Sequence, residues 1–332
     1  MEAKKDKLDD LKKVPPDLGA FFKLIDQPDR IFTVDQLSGD PPEVEWVVEK
    51  FLPRDVVGMV AATGSTGKTF FLLQMALCVA SGKPFLGKET GDPADVLIIA
   101  AEETKADIHR RVDAIRKYYG IDPEAGKRLT VASVNGISGI KNRIHTWEDN
   151  VEPSQLFDAL ILYVKATKPR LVILDPTRRF LSGDENNSEN ADQFINDVEA
   201  IKNEGRGETT LLLAHHTSKG GAGGRDQHAS RGSSAFVDGA RWQLVMAGLD
   251  PLKEWEYDDG NILSVDDVRQ HLRIELTKYN SFVPDQHEFI LERRSGGVLD
   301  TPTSGISEVG TQRNGNQKGE SWDKPNYQKR KN

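Results

Sequence analysis

Residues 62–69 read Ala-Thr-Gly-Ser-Thr-Gly-Lys-Thr, between an apolar run at 56–61 and an apolar stretch at 70–80. A strand that enters a glycine-bearing turn and leaves as a helix makes a cradle for phosphate. Gly64 and Gly67 let successive N–H groups curl toward one anion, and the amino end of the helix adds partial positive charge. Lys68 is long enough to reach β- and γ-phosphates, and Thr69 carries a hydroxyl suited to Mg²⁺. Thr63, Gly64, Ser65, Thr66, Gly67, Lys68, Thr69 and Phe70 are therefore the expected nucleotide-binding residues, with ATP and Mg²⁺ as cofactors. Ala62 stands where the strict pattern has its first glycine, a difference of one methyl group.

Three further aliphatic runs end in polar side chains. Glu102 and Glu103 follow the run at 95–101, where a carboxylate can orient the water that attacks a γ-phosphate. Asp175 closes the run at 170–175 and is expected on the metal side, while Pro176 argues against a simple helix cap. His215 closes the run at 209–215 and His216 follows it, and the two abut a glycine-rich loop, as a γ-phosphate sensor would. Adjacent residues on a strand point to opposite sides, which argues against a shared zinc ion. Arg231, Arg241 and Lys278 are candidates to neutralise transition-state charge from a neighbouring subunit.

These residues need a scaffold that gathers strand ends. The runs at 56–62, 95–101, 129–134, 170–175 and 209–215 are nearly continuous in apolar residues, as in parallel strands buried on both faces. Between them lie helical spacings: Ile108, Val112, Ile115 and Tyr119 after an N-cap at Thr104; Leu156, Leu160, Ile161 and Val164; and Phe194, Ile195, Val198 and Ile201 before a C-cap at Gly205. Past residue 240 the runs at 242–247, 272–278 and 288–292 read as strands joined by hairpins. The expected fold class is α/β: a mostly parallel sheet flanked by helices, with a C-terminal antiparallel extension.

The 332 residues are 37 % apolar and 29 % charged, with a net charge of −8. An acidic chain does not present a broad basic face to duplex DNA, so any nucleic-acid contact has to be local. Cys78 is the single cysteine, which excludes an internal disulfide; it is expected as a small buried hydrophobe, and the chain as cytoplasmic. No apolar run is long enough to span a bilayer, and no secretory signal is evident. The expected organisation is an arm at 1–45, a motor domain at 46–300 and a disordered polar tail at 301–332.

The stretches 60–69, 101–103, 174–180, 214–219, 229–234, Arg241-Trp242-Gln243 and Lys278-Tyr279-Asn280 resemble, in order and spacing, the RepA-type hexameric replicative helicases of plasmids. That family lies within the RecA/DnaB-like group of P-loop NTPases, and the likeness covers roughly residues 45–300. It implies a RecA-like core in which Lys68 and Thr69 hold phosphate and Mg²⁺, Glu102 is the catalytic carboxylate and Asp175 the metal-side acid. It implies His216 as sensor before His215, Arg241 as the finger acting on the adjacent subunit's ATP, and Lys278 as a second trans-acting residue. Asn280 departs from the arginine that DnaB-like relatives carry there, which places more of the finger's duty on Arg241.

The resemblance also implies a homohexameric ring around single-stranded DNA, with a replication initiator or primase as further partners and no membrane. The loop at 218–229, with Lys219, Arg225 and His228, is the expected DNA contact; the loop at 182–190 is acidic through Asp184, Glu185 and Glu189. Six copies sum a few basic side chains around the strand, which reconciles an acidic protein with a DNA partner. The competing expectation is a non-translocating ATPase that switches DNA or partner binding.

Overall fold

Aliphatic runs without polar interruption must be covered on both faces, and a central sheet between two helical layers covers them here. The computed structural model describes residues 39–135, 155–181, 184–216 and 235–310, with Val34 and Leu37. The architecture lies in the unit that starts at Val44. A short ribbon, β1 (Trp46–Val48) with β2 (Leu52–Pro53), precedes β3 (Val57–Ala62) and helix α1 (Lys68–Ser81). Then come β4 (Val96–Ala100), α2 (Lys105–Tyr119), β5 (Leu129–Ser133), α3 (Gln155–Thr167) and β6 (Leu171–Asp175). They are followed by α4 (Ser188–Asn203), β7 (Thr210–His216), α5 (Ala235–Gly239) and β8 (Trp242–Gly248). The last elements are β9 (Trp255–Tyr257), α6 (Val265–Gln270), β10 (His271–Tyr279), β11 (Glu288–Arg293), β12 (Leu299–Asp300) and β13 (Ile306–Glu308).

Among the described residues nine strands form the main sheet, in the order β12-β11-β10-β8-β3-β7-β6-β4-β5. From β8 to β5 all neighbours are parallel; β10, β11 and β12 add an antiparallel edge. This is the α/β fold with an antiparallel extension that the apolar runs and hairpin signals require. β3 lies between β7 and β8, while β4 is three places along, so the chain reverses direction across the sheet beside β3. Ligand crevices of open α/β sheets form at such a reversal, outside the carboxyl ends of the strands. β3 splits its side chains between two cores. Val60 and Ala62 face Phe71, Met75 and Trp242, while Val57 and Met59 face Leu174, Phe194 and Phe236.

Helix α1 is buried almost all round, which explains why its sequence shows apolar residues on every face rather than one stripe. Cys78 is fully buried within it, and burial pushes its thiol up to about 12, so it serves as a small core residue. Thr104 caps α2 as expected, in a reciprocal capping box with Asp107. Among the described residues no helix is long and apolar enough to cross a membrane.

Two expectations need correction. Helix α4 ends on Glu204 in right-handed conformation, and the reversal is made further on by Arg206 and Gly207 at φ 52° and 87°; Gly205 is not the cap. Ordered strand also continues beyond Thr301, because Ile306, Ser307 and Glu308 pair with Tyr257, Glu256 and Trp255. A strand of only three residues carries too little apolar periodicity to stand out from a polar tail. Residues 311–332 and most of the arm lie outside the described residues.

Candidate active site

The loop from Thr63 to Gly67 joins β3 to α1 at the carboxyl edge of the parallel sheet. It is pinned across its base by a 2.7 Å hydrogen bond between the Thr63 and Thr66 hydroxyls, and the Thr66 hydroxyl also donates to the Thr63 carbonyl at 2.8 Å. Gly67 sits at φ 101°, a left-handed conformation that strains any residue with a Cβ, and it caps α1. At Gly64 a Cβ would meet open space, so the conformational need for glycine rests on position 67.

Lys68 and Asp175 are each only 6 % exposed, and their mutual attraction offsets part of the cost of burying two charges. Burial lowers the pKa of Lys68, with Asp175 and then Glu102 opposing the shift. Burial raises that of Asp175, opposed most by Lys68 and then by a hydrogen bond from the Thr69 hydroxyl. The Lys68 ammonium donates to the His215 carbonyl at 3.1 Å, near the terminus of β7. The residues therefore link three strand ends: β3, β6 and β7.

Glu102 and Glu103 follow β4, and side chains from β5 and just beyond it fix their backbone. Ser133 donates to the Glu103 carbonyl at 2.7 Å and Asn135 Nδ2 to that of Glu102 at 2.9 Å. The two carboxylates differ. Glu103 is paired with Arg111 of α2 at 2.9 Å, whereas Glu102, about half exposed, accepts from Arg179 Nε at 3.0 Å. Both line a cavity of about 510 Å³ whose floor is the phosphate loop and whose walls include His216 and Arg293. His215 is buried, its ring 5.0 Å from that of Phe236, while its partly exposed neighbour His216 lines the cavity. Strand alternation separates the two rings.

A divalent cation fits the donor set here. Thr69 and Asp175 offer two hard oxygens, one on an acid whose burial disfavours its charged form, and Mg²⁺ characteristically takes few protein ligands beside phosphate and water. Among the described residues no group of three or more acids, histidines or cysteines is placed to hold a metal ion.

Arg241 stands at the opposite end of the sheet. It immediately precedes β8, whose Trp242 pairs with Gly58 at the start of β3, roughly 16 Å of strand from the phosphate loop. It is exposed. Lys278 lies at the same end, its ammonium donating at 2.8 Å to the carbonyls of Val237 and Asp238. Asp238 and Arg241 both act on its charge, so the topology brings two trans-acting candidates together away from their own chain's phosphate loop. Arg231 and the DNA-contact candidates Lys219, Arg225 and His228 lie outside the described residues. In the acidic loop, Glu185 pairs with Arg178 at 3.7 Å.

Arg293 was not among the sequence candidates. It is the last residue of β11, and its guanidinium donates to the Thr66 carbonyl across 227 residues of chain. Its sequence setting, one of two arginines after a strand, gives no sign of this; only the antiparallel register reveals it.

A family model described as an AAA domain matches residues 25–222, more than half of the chain. The chain belongs to that family of P-loop ATPases, related to the RecA/DnaB-like helicases.

Proposed function

From that membership and this geometry we propose that the chain is the motor subunit of an ATP-driven DNA helicase, similar to the RepA-type hexameric enzymes, with the motor at 46–300 and the arm at 1–45 as an adjunct. The observation that supports it most is the separation, on one polypeptide, of the nucleotide cavity from the Arg241–Lys278 pair. A ring in which each copy offers both ends of its sheet completes every site with its neighbour's arginine.

In this reading Lys68 and the loop amides hold the phosphates, and Thr69 and Asp175 hold Mg²⁺, which when bound screens phosphate charge. Glu102 orients the attacking water. Both glutamates line the cavity and both are paired with an arginine, but Glu102 is the more exposed of the two and its Arg179 partner is the more exposed arginine. His216 senses the γ-phosphate and passes its state to the segment after β7, where Lys219, Arg225 and His228 contact single-stranded DNA.

The test measures ATP hydrolysis with and without single-stranded DNA, native mass in Mg-ATP, and unwinding of a forked duplex. Wild type is expected to form a ring, respond to DNA and separate strands. A monomer indifferent to DNA overturns the helicase reading, and hydrolysis that responds to DNA without strand separation assigns the protein as a switch.

A further inference from the structure

β11 ends on a guanidinium that the chemistry above does not use. Arg293 is half-buried, lines the nucleotide cavity and donates to the Thr66 carbonyl. A Cβ added to Gly67 would lie 2.9 Å from its Nη1, so the cation sits directly on the phosphate loop. Among the described residues no carboxylate is within ion-pair distance of it. Burial alone pulls its pKa down, and a guanidinium stays charged regardless. Five N–H donors with one carbonyl acceptor leave most of its bonding capacity unmet inside the protein.

Its placement is specified by the fold. Arg293 pairs with Leu299 of β12, and Leu299 is fastened to α1 by two reciprocal bonds with buried Gln74, from Nε2 to the Leu299 carbonyl at 2.6 Å and from the Leu299 N–H to Oε1 at 3.0 Å. Between those strands Gly297, at φ 87°, lies so close to Phe70 that a Cβ would come within 3.3 Å of the ring. The helix whose amino end faces the phosphates therefore also holds the strand pair that brings Arg293 to them.

We infer that Arg293 is a phosphate ligand in cis: with nucleotide bound, its guanidinium contacts the diphosphate, and the β11–β12 connection forms one wall of the nucleotide pocket. The inference rests on the phosphate-loop reading of residues 63–69. A planar, multidentate cation beside an anion cradle adds charge-assisted bonds that backbone amides alone do not supply. It also makes the antiparallel edge of the sheet responsive to occupancy, because the guanidinium that contacts phosphate is carried on β11 and bridges it to the Thr66 carbonyl of the loop.

Calorimetric titration of the full chain with Mg-ADP, inorganic tripolyphosphate and adenosine tests this. Arg293→Gln is expected to weaken ADP and tripolyphosphate by a similar factor, about 10- to 100-fold, and to leave adenosine unchanged; Arg293→Lys recovers part of the loss. Binding of both phosphates within about twofold of wild type overturns the inference, as does an equal loss of adenosine, which signals a merely structural contact. Lys68→Ala that binds ADP normally overturns the phosphate-loop reading itself and leaves a different signature. In the wild type, hydrogen exchange needs no variant to fold: tripolyphosphate is expected to protect residues 288–300, and no protection there defeats the proposal.

Discussion

Arg179 Nε donates to Glu102 Oε1 at 3.0 Å, so the carboxylate to which the proposed function gives the attacking water is held by a cation from the turn after β6, the strand beside β4. Both side chains are roughly half exposed, and such a pair contributes at most about 1 kcal/mol. It is strong enough to compete with a water molecule and too weak to matter for folding. Arg179→Ala is therefore expected to raise DNA-independent hydrolysis, by up to about fivefold, with stability unchanged within about 0.5 kcal/mol. Phosphate release and a denaturant melt on the same preparation check both halves.

Buried Asp175 makes the nucleotide-free protein sensitive to pH. Its pKa is raised above the ordinary 3.8, so the protonated form is the one the fold favours. Stability from this group is complete below 3.8 and declines as the pH climbs from there through the raised value, with a slope of at most about 1.4 kcal/mol per pH unit. Lys68 is the main opposing influence, so Lys68→Met extends the decline to higher pH. Asp175→Asn removes it. Thermal melts of wild type and both variants from pH 4 to 8 read the difference.

The two histidines separate by environment. His215 is 3 % exposed and packs on Phe236, so His215→Ala is expected to cost about 1–3 kcal/mol in a denaturant melt. His216 lines the nucleotide cavity, so His216→Ala is expected to melt normally and to bind ATP. Its single-stranded DNA affinity should no longer differ between ADP and a non-hydrolysable ATP analogue. Fluorescence anisotropy with both nucleotides measures that.

The central strands of the parallel sheet were legible in the sequence nearly to the residue because they are buried on both faces and must be apolar throughout, as in Leu171–Asp175; edge strand β5, expected to be buried likewise, is covered only in part. The polar side chains at their ends stood out against that background, which is why Asp175 and the pairs Glu102–Glu103 and His215–His216 could be named from spacing, with the choice within each pair left to the family resemblance. What spacing could not separate was Glu102 from Glu103, since the difference lies in Arg111 and Arg179 on other elements. Arg293 was invisible for a similar reason: an arginine ending a half-exposed strand looks solvated until register and Gln74 fix where it points. Short elements such as β13 and α6 owe their form to neighbours and capping, and leave little periodic signal.

Arg241 makes the sharpest prediction because its position on the sheet excludes service to its own phosphate loop without unfolding of β8. Lys68→Ala and Arg241→Ala are each expected to abolish DNA-stimulated hydrolysis, the second while still binding ATP. Mixed in equal amounts and allowed to exchange, the two inactive proteins form rings in which a wild-type phosphate loop from one variant meets a wild-type arginine from the other. With random assembly about a quarter of interfaces regain both parts, so about a quarter of wild-type activity returns. An arginine acting within its own chain gives no recovery at any ratio, because neither polypeptide then carries a complete site. Titrating one variant into the other and following phosphate release decides between these outcomes, and a flat line removes the shared-site mechanism.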